Sequence, residues 1–229
     1  VGHEGFEILI RRHFIAAALA LCYVGAWGAQ NKPGASAAHA AGQSPKTILV
    51  LGDSLSAEYG LPRGSGWVAL LQKRLAAEKI PARVQNASIS GETTSGGRSR
   101  LAALLATYKP DVVIVELGAN DALRGLPLAM TQDNLNQMTR AAQKAGAKVL
   151  LLGMQVPPNY GSEYADHFAA IFGQVAKADR AALVPFFLKG VADAPNASEL
   201  FQNDGLHPIA AAHPTLLNNV WPELKKLLE

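Results

Sequence analysis

A serine follows the first strongly apolar segment beyond the N-terminal region of the chain. Residues 48–51 read Ile-Leu-Val-Leu and are followed by Gly-Asp-Ser-Leu-Ser at 52–56. A continuous aliphatic run of this length is typical of a strand buried on both faces of a parallel sheet. In open α/β sheets, functional sites lie beyond the carboxyl ends of the strands, and Ser54 would lie there. The residues alone leave two interpretations of Ser54, a nucleophile or the more common helix N-cap.

Later segments carry residues that could complete an acyl-transfer site with Ser54. Such a site needs a nucleophile, a base, a group that orients the base, and hydrogen-bond donors for the oxyanion. His207 could accept the proton of Ser54, and Asp204 would lie beside His207 if that segment formed one helical turn. The backbone N–H groups of Ser54 and Gly91 and the side-chain amide of Asn120 could bind the oxyanion.

Each of these residues also has an ordinary interpretation when taken alone. Gly91 could be a turn residue, and Asn120 with Asp121 could form a turn or the start of a helix. Asp204 and His207 could be surface groups, or two ligands of a metal ion. A metal site is less favoured, because no third and fourth ligand stand at a useful spacing.

Four short blocks, taken together and in this order, resemble one enzyme family. They read Gly-Asp-Ser-Leu at 52–55, Asn-Ala-Ser-Ile-Ser-Gly at 86–91, Gly-Ala-Asn-Asp at 118–121 and Asp-Gly-Leu-His at 204–207. Through them nearly all of residues 47–228 resembles the SGNH (GDSL) hydrolases, most closely the bacterial periplasmic branch of acyl-CoA thioesterase I, lysophospholipase and arylesterase. The first block is not the Gly-x-Ser-x-Gly elbow of α/β-hydrolases, because position 56 is serine.

The resemblance implies a serine esterase in which Ser54 is the nucleophile, His207 the base and Asp204 the residue that orients the base. It implies an oxyanion hole formed by Ser54, Gly91 and Asn120, and it requires no cofactor and no metal. Members of this branch cleave aryl esters, acyl thioesters and lysophospholipids. We therefore expect an exported hydrolase that acts on ester and thioester substrates through an acyl-enzyme.

The resemblance also suggests where an acyl chain would bind. We expect a groove formed by the loops after Asn120 and around residues 157–160. Leu123, Leu126 and Tyr160 are candidate walls of this groove, although ordinary loop packing explains them equally well.

Two other functions remain open. One is a carbohydrate O-deacetylase of the same fold, which would prefer acetylated sugars and reject long acyl chains. The other is a non-catalytic periplasmic binding protein on a doubly wound fold. A broken serine or histidine block would indicate that protein, and here both blocks are intact. Nucleotide binding is not supported, because no Gly-x-Gly-x-x-Gly follows a strand and no Walker-type lysine is present.

The elements that must position these residues alternate along the chain. Strands are predicted at 47–51, 83–87, 111–117, 148–152 and 183–187, and helices at 66–79, 99–108, 131–145, 163–178 and in the C-terminal segment to 228. Residues 41–229 are thus predicted to form a single α/β domain, a three-layer α/β/α sandwich around a five-stranded parallel sheet of flavodoxin-like order. His167 and His213 look like helix-surface and loop residues, with no assigned role.

Residues 1–40 are predicted to be a secretory signal peptide. Arg11 and Arg12 precede an apolar stretch, residues 14–24, that is too short to span a bilayer comfortably, and residues 38–40 match a small-x-small cleavage site. Ordinary Sec export is favoured over the twin-arginine route. The only cysteine, Cys22, lies in this segment, so the exported chain would contain no disulfide. We expect a periplasmic or secreted protein.

The charge distribution gives no reason to expect a nucleic-acid partner. The chain has 21 Lys and Arg against 18 Asp and Glu, a net charge of +3, and the cations are scattered. We expect a small-molecule or lipid ester as the partner, with no membrane span after removal of the signal peptide and at most transient contact with membrane lipid.

Overall fold

Five parallel strands form the centre of the protein, which is described here by a computed structural model for residues 44–229. The strands are β1 (Lys46–Gly52), β2 (Ala82–Asn86), β3 (Val112–Glu116), β4 (Lys148–Leu152) and β5 (Ala182–Val184). They lie in the order β2-β1-β3-β4-β5. This is the flavodoxin-like order, so the predicted fold class is confirmed.

Seven α-helices accompany the sheet in the part of the chain that the structure describes. They are α1 (Trp67–Ala77), α2 (Thr94–Tyr108), α3 (Ala119–Leu123), α4 (Leu128–Lys144), α5 (Ser162–Asp179), α6 (Ala197–Leu200) and α7 (His213–Leu228). Two short 3₁₀ segments, Pro158–Tyr160 and Ala210–Ala212, lie in loops. The predicted helices and strands all form, and the short helices α3 and α6 were not predicted.

Helices cover both faces of the sheet. Helix α1 packs against α7, whereas α2, α4 and α5 pack against one another, and each group contacts the strands. The central strands β1 and β3 are buried along almost their whole length, which explains their continuous aliphatic sequences. The largest buried side chains, Trp67, Phe168, Phe172 and Phe187, fill the layers between helices and sheet.

Helix α2 begins at Thr94, five residues before the predicted start at Ser99. The side chain of Thr93 accepts a hydrogen bond from the N–H of Gly96 and caps the helix. The glycines in the first turns have low helix propensity, which explains why the helix was predicted to start too late in the sequence. A Cβ atom at Gly97 would lie 2.4 Å from Leu117 Cδ1, so this glycine allows the helix to approach the end of β3 closely.

The predicted signal peptide lies outside the described residues, and the single-domain assignment of residues 41–229 stays a prediction. Among residues 44–229, no helix is long and apolar enough to cross a membrane. In the same part of the chain, no group of three or more His, Cys, Asp or Glu side chains is arranged to hold a metal ion.

The prediction that His213 is a loop residue was wrong, because His213 is the first residue of α7 and is buried. Its Nδ1 accepts a hydrogen bond of 3.0 Å from the backbone N–H of Trp67, at the start of α1. The neutral imidazole thus satisfies a free helix N–H that no side chain of α1 itself caps.

We expect acid to destabilise the protein through His213. Burial lowers the pKa of His213 below its usual value of 6.5, so below that pH the unfolded chain binds a proton that the folded protein excludes. The free energy of unfolding therefore falls as the pH decreases below 6.5. Denaturant unfolding of wild type and His213→Gln between pH 5 and 8 measures this, and the curve of the variant should be flatter. Parallel curves would exclude His213 as the origin.

Candidate active site

The loops after β1 and β3 meet at the carboxyl edge of the sheet, where a loop preceding α7 also arrives. Ser54 Oγ lies 2.8 Å from Nε2 of His207, and Nδ1 of His207 lies 2.7 Å from Oδ2 of Asp204. The structure thus brings three of the predicted site residues into one hydrogen-bonded chain, although Ser54 and His207 are 153 residues apart in sequence.

Residues 204–207 do not form the helical turn that the spacing suggested. Asp204 Oδ1 instead accepts hydrogen bonds from the backbone N–H groups of Leu206 and His207, at 2.9 and 3.0 Å, while Oδ2 faces the imidazole. Gly205 has a φ of +68°, which glycine adopts without strain. These backbone bonds, together with the contact to His207, lower the pKa of Asp204 to about 2. Asp204 is therefore ionised at any ordinary pH.

An aromatic ring that the sequence interpretation did not include lies against the histidine. The ring centroid of Tyr59 is 4.5 Å from that of His207, with an interplanar angle of 39°. Gln202 Nε2 donates to the carbonyl of Tyr59 at 3.0 Å. This bond joins the loop after β1, which contains Ser54 (the serine loop), to the loop that contains His207 (the histidine loop). Nothing in the local sequence around Tyr59 indicates this contact, since it depends on two distant loops.

The loop after β2 carries Gly91, with a φ of +77°. Its carbonyl accepts a hydrogen bond of 2.8 Å from Nη2 of Arg124, which directly follows α3. Asn86, at the end of β2, donates to the carbonyl of Ser56 at 2.8 Å and accepts from the N–H of Ser88. The loop is therefore tied both to the serine loop and to the end of α3.

Asn120 lies in the first turn of α3, which starts directly after β3. Its Nδ2 donates a hydrogen bond of 2.9 Å to Oδ2 of Asp53, the residue before the serine. Gly118 precedes the helix with a φ of +122°, so the chain can turn sharply at this point. Asn120 is thereby fixed beside the serine turn, as the predicted site requires.

A buried pair of carboxyl groups, missed by the sequence interpretation, lies directly under the serine. Asp53 and Glu116 are both buried, and Glu116 Oε2 accepts a hydrogen bond of 2.7 Å from Ser56 Oγ. Burial raises the pKa of Asp53 to about 6, although bonds from Leu55 and other groups oppose the rise. Burial, followed by repulsion from Asp53, raises the pKa of Glu116 well above its usual range.

A cavity of about 770 Å³ opens at the serine. It is bordered by Ser54, Asn120 and His207 at the reactive end. The rest of its wall is mostly apolar, with Met154, Phe186, Leu188 and Phe201 among its residues, and it also includes polar side chains such as Gln155, Asp193 and Ser198. Of the three predicted groove walls, Leu123 lines this cavity, whereas Leu126 and Tyr160 do not. The chain therefore offers an apolar space next to a serine–histidine pair.

Comparison with known proteins agrees with this geometry. A sequence model described as the GDSL-like Lipase/Acylhydrolase family matches residues 50–214. The chain is 56% identical over 183 residues to Esterase TesA of Pseudomonas aeruginosa, covering 80% of this chain and 90% of that protein. It is 39% identical over 182 residues to Thioesterase 1/protease 1/lysophospholipase L1 of Escherichia coli K12, covering 80% and 85%.

Solved structures give the same result. The crystal structure of TesA superposes with a TM-score of 0.76 at 55% identity, covering 80% of this chain and 99% of that one. The matched family segment contains all of the predicted site residues, from Ser54 to His207. This chain belongs to the GDSL-like lipase/acylhydrolase family of hydrolases.

Proposed function

We propose that the protein hydrolyses carboxylic esters and thioesters through an acyl-enzyme formed on Ser54. The observation that carries this proposal is the continuous chain from Ser54 Oγ through His207 to Asp204, with distances of 2.8 and 2.7 Å, at the mouth of an apolar cavity. A serine that served only as a helix cap would not require an imidazole in hydrogen-bond contact with its hydroxyl.

The groups present can carry both halves of the reaction. His207 Nε2 takes the proton of Ser54 Oγ as that oxygen bonds to the substrate carbonyl carbon, and the carbonyl oxygen becomes an oxyanion. Collapse of the tetrahedral intermediate expels the alcohol or thiol, which receives the proton from Nε2. Water then attacks the acyl-enzyme in the same way and releases the acid. Asp204 stays ionised throughout, and it holds Nδ1 protonated and stabilises the imidazolium.

Donors for the oxyanion are available from three segments of the chain. The N–H groups of Ser54 and Gly91 do not donate to a backbone carbonyl of the described residues, and the Asn120 amide uses one N–H on Asp53, which leaves its second N–H. We assign the oxyanion hole to these three groups. Fixed hydrogen-bond donors that stabilise the developing negative charge usually make the largest single contribution to the rate enhancement of such reactions.

The apolar lining of the cavity supports an acyl chain as the group that is bound. Esterase, thioesterase and lysophospholipase are the activities in the names of the similar proteins. An acyl chain longer than acetyl would contact Met154, Phe186 and Leu188, and the apolar residues outnumber the polar ones in the cavity wall. We therefore favour acyl esters over acetylated carbohydrates as substrates.

Export is part of the same proposal. The basic, apolar and small-residue segments of residues 1–40 support a cleaved signal peptide and a periplasmic or secreted enzyme. Expression of the full sequence in a Gram-negative host, followed by fractionation and N-terminal sequencing of the product, tests this. A product that begins near residue 41 in the periplasmic or extracellular fraction supports export, and an uncleaved cytoplasmic product contradicts it.

Covalent labelling tests the nucleophile directly. A fluorophosphonate ester should transfer its phosphonyl group to Ser54 Oγ with loss of fluoride, adding one adduct per chain. Peptide mass spectrometry should place the adduct on Ser54 and not on Ser56, because the hydroxyl of Ser56 is buried and donates to Glu116. Labelling that persists in a Ser54→Ala variant would contradict the proposed nucleophile.

Acyl-chain preference should depend on Leu123 and not on Leu126. Leu123 lines the cavity, so Leu123→Ala removes contacts with a long chain and should lower the octanoyl-to-acetyl ratio of kcat/KM about tenfold. Leu126→Ala, three residues further along the chain, is the matched control, and its ratio should stay within about twofold of wild type. The measurement is hydrolysis of p-nitrophenyl esters of increasing chain length. Equal shifts in both variants would place Leu123 outside the acyl site.

A further inference from the structure

The acyl-enzyme steps described above do not involve the buried carboxyl pair below the serine. Asp53 and Glu116 lie 63 residues apart in sequence and meet because the ends of β1 and β3 are paired, with Gly52 opposite Glu116. A Cβ atom at Gly52 would lie 2.8 Å from Glu116 Oε2 and 2.7 Å from Ser56 Oγ. The glycine of the Gly-Asp-Ser-Leu block is therefore required where the chain passes Glu116.

The two carboxyl groups have different hydrogen-bond partners. Both oxygens of Asp53 accept hydrogen bonds, Oδ1 from the N–H of Leu55 at 3.0 Å and Oδ2 from the amide of Asn120 at 2.9 Å. Glu116 accepts only through Oε2, from Ser56 Oγ and from the N–H of Asp53. Its Oε1 is buried without a hydrogen-bond partner among the described residues.

The difference in hydrogen-bond donors determines which of the two carboxyl groups is ionised. Two neighbouring carboxyl groups in a buried site are not both ionised, because repulsion from Asp53 adds to the effect of burial and raises the pKa of Glu116. The carboxylate with more donors is stabilised as the anion. Glu116, with one unpartnered oxygen, is the neutral member. Among the described residues, His207 also acts on Asp53, and its electrostatic effect opposes the rise in the pKa of Asp53.

We propose that Asp53 is a positioning residue that fixes the orientation of the Asn120 amide, and that Glu116 keeps a proton so that Asp53 is the only anion of the pair. An asparagine amide has a donor end and an acceptor end, which exchange places when the group rotates by half a turn. The Asp53 carboxylate can only accept, so it holds the NH₂ end next to Ser54 and leaves the second N–H for the oxyanion. This inference rests on the proposed oxyanion function of Asn120.

Two isosteric variants distinguish this arrangement from the reverse one. Leu55 and Asn120 donate to different oxygens of Asp53, and Asp53→Asn keeps an acceptor at only one of these two positions, so it cannot accept from both. If it keeps the Leu55 bond, its NH₂ faces Asn120, whose amide then turns its oxygen toward the oxyanion. We expect kcat to fall about 10²-fold, with KM changed less than about threefold. Glu116→Gln replaces a neutral carboxyl by a neutral amide, and we expect kcat within about threefold of wild type.

A double-mutant cycle shows whether Asp53 acts through Asn120. Asn120→Ala should lower kcat about 10²–10³-fold, and Asp53→Asn in that background should cost less than about threefold more. Asp111→Asn is the matched control, because Asp111 also accepts a backbone N–H, that of Thr47, at the opposite end of the sheet. It should change the melting temperature without changing kcat. Independent effects of Asp53→Asn and Asn120→Ala would overturn the proposal.

Infrared spectroscopy tests the protonation independently of activity. At pH 7 a protonated-carboxyl band should be present in the wild-type protein, absent in Glu116→Gln and retained in Asp53→Asn. Loss of the band only in Asp53→Asn, or high activity of Asp53→Asn with an inactive Glu116→Gln, would show that the charges are reversed and overturn the proposal. An active Ser54→Ala variant would instead refute the proposed function and leave the infrared result standing.

Discussion

Ser54→Ala should lower kcat for p-nitrophenyl esters by at least about 10⁴-fold while the melting temperature stays within a few degrees of wild type. Removing the nucleophile leaves only binding and oxyanion stabilisation, which give a small residual rate over water. The substitution removes a hydroxyl whose hydrogen-bond partner is His207, and no helix cap is lost with it. Stability should therefore change little while the chemistry stops.

The control for this experiment is Ser65→Ala. Ser65 is another loop serine, and its hydroxyl donates to the carbonyl of Pro62 at 2.6 Å, away from the serine–histidine pair. Its kcat should equal that of wild type. A Ser54→Ala enzyme that retains a tenth of the activity would contradict the acyl-enzyme mechanism. If the variant loses both activity and structure, the covalent labelling of the wild-type protein decides whether Ser54 is the nucleophile.

Asp204→Asn should reduce kcat by about 10⁴-fold, the second large effect. The amide oxygen can still accept from the backbone N–H groups of Leu206 and His207, so the turn is retained. The NH₂ group then faces Nδ1, which must accept and so moves the ring proton to Nε2. In that tautomer Nε2 cannot take the proton of Ser54. The isosteric change therefore disables the base without removing it.

The measurement is kcat and kcat/KM from pH 5 to 9, with the melting temperature as a check on folding. Because the pKa of Asp204 is about 2, wild-type activity should show no limb from Asp204 in this range. Asp204→Asn should be slow at every pH. Activity within tenfold of wild type would mean that Asp204 is not needed to orient His207, since the loop geometry alone would then be sufficient.

The sequence by itself determined the fold class, the strand positions and the family. Continuous aliphatic runs such as residues 48–51 and 112–115 are local signals of buried parallel strands, and they were found with their ends nearly correct. The site residues could be predicted because Ser54, Gly91 and Asn120 each stand in a short block that follows a strand. Asp204 and His207 stand together in one turn. Parallel strands end at one edge, so such blocks converge.

Only the tertiary structure decided which distant groups touch. The contact of Tyr59 with His207, the capping of α1 by His213 and the pairing of Asp53 with Glu116 all join segments far apart in sequence. Glu116 looks like an ordinary polar end of β3 until the register places it opposite Gly52. Hydrophobic periodicity encodes which face a residue occupies, whereas the protonation of a buried pair depends on neighbours that strand order and register bring together.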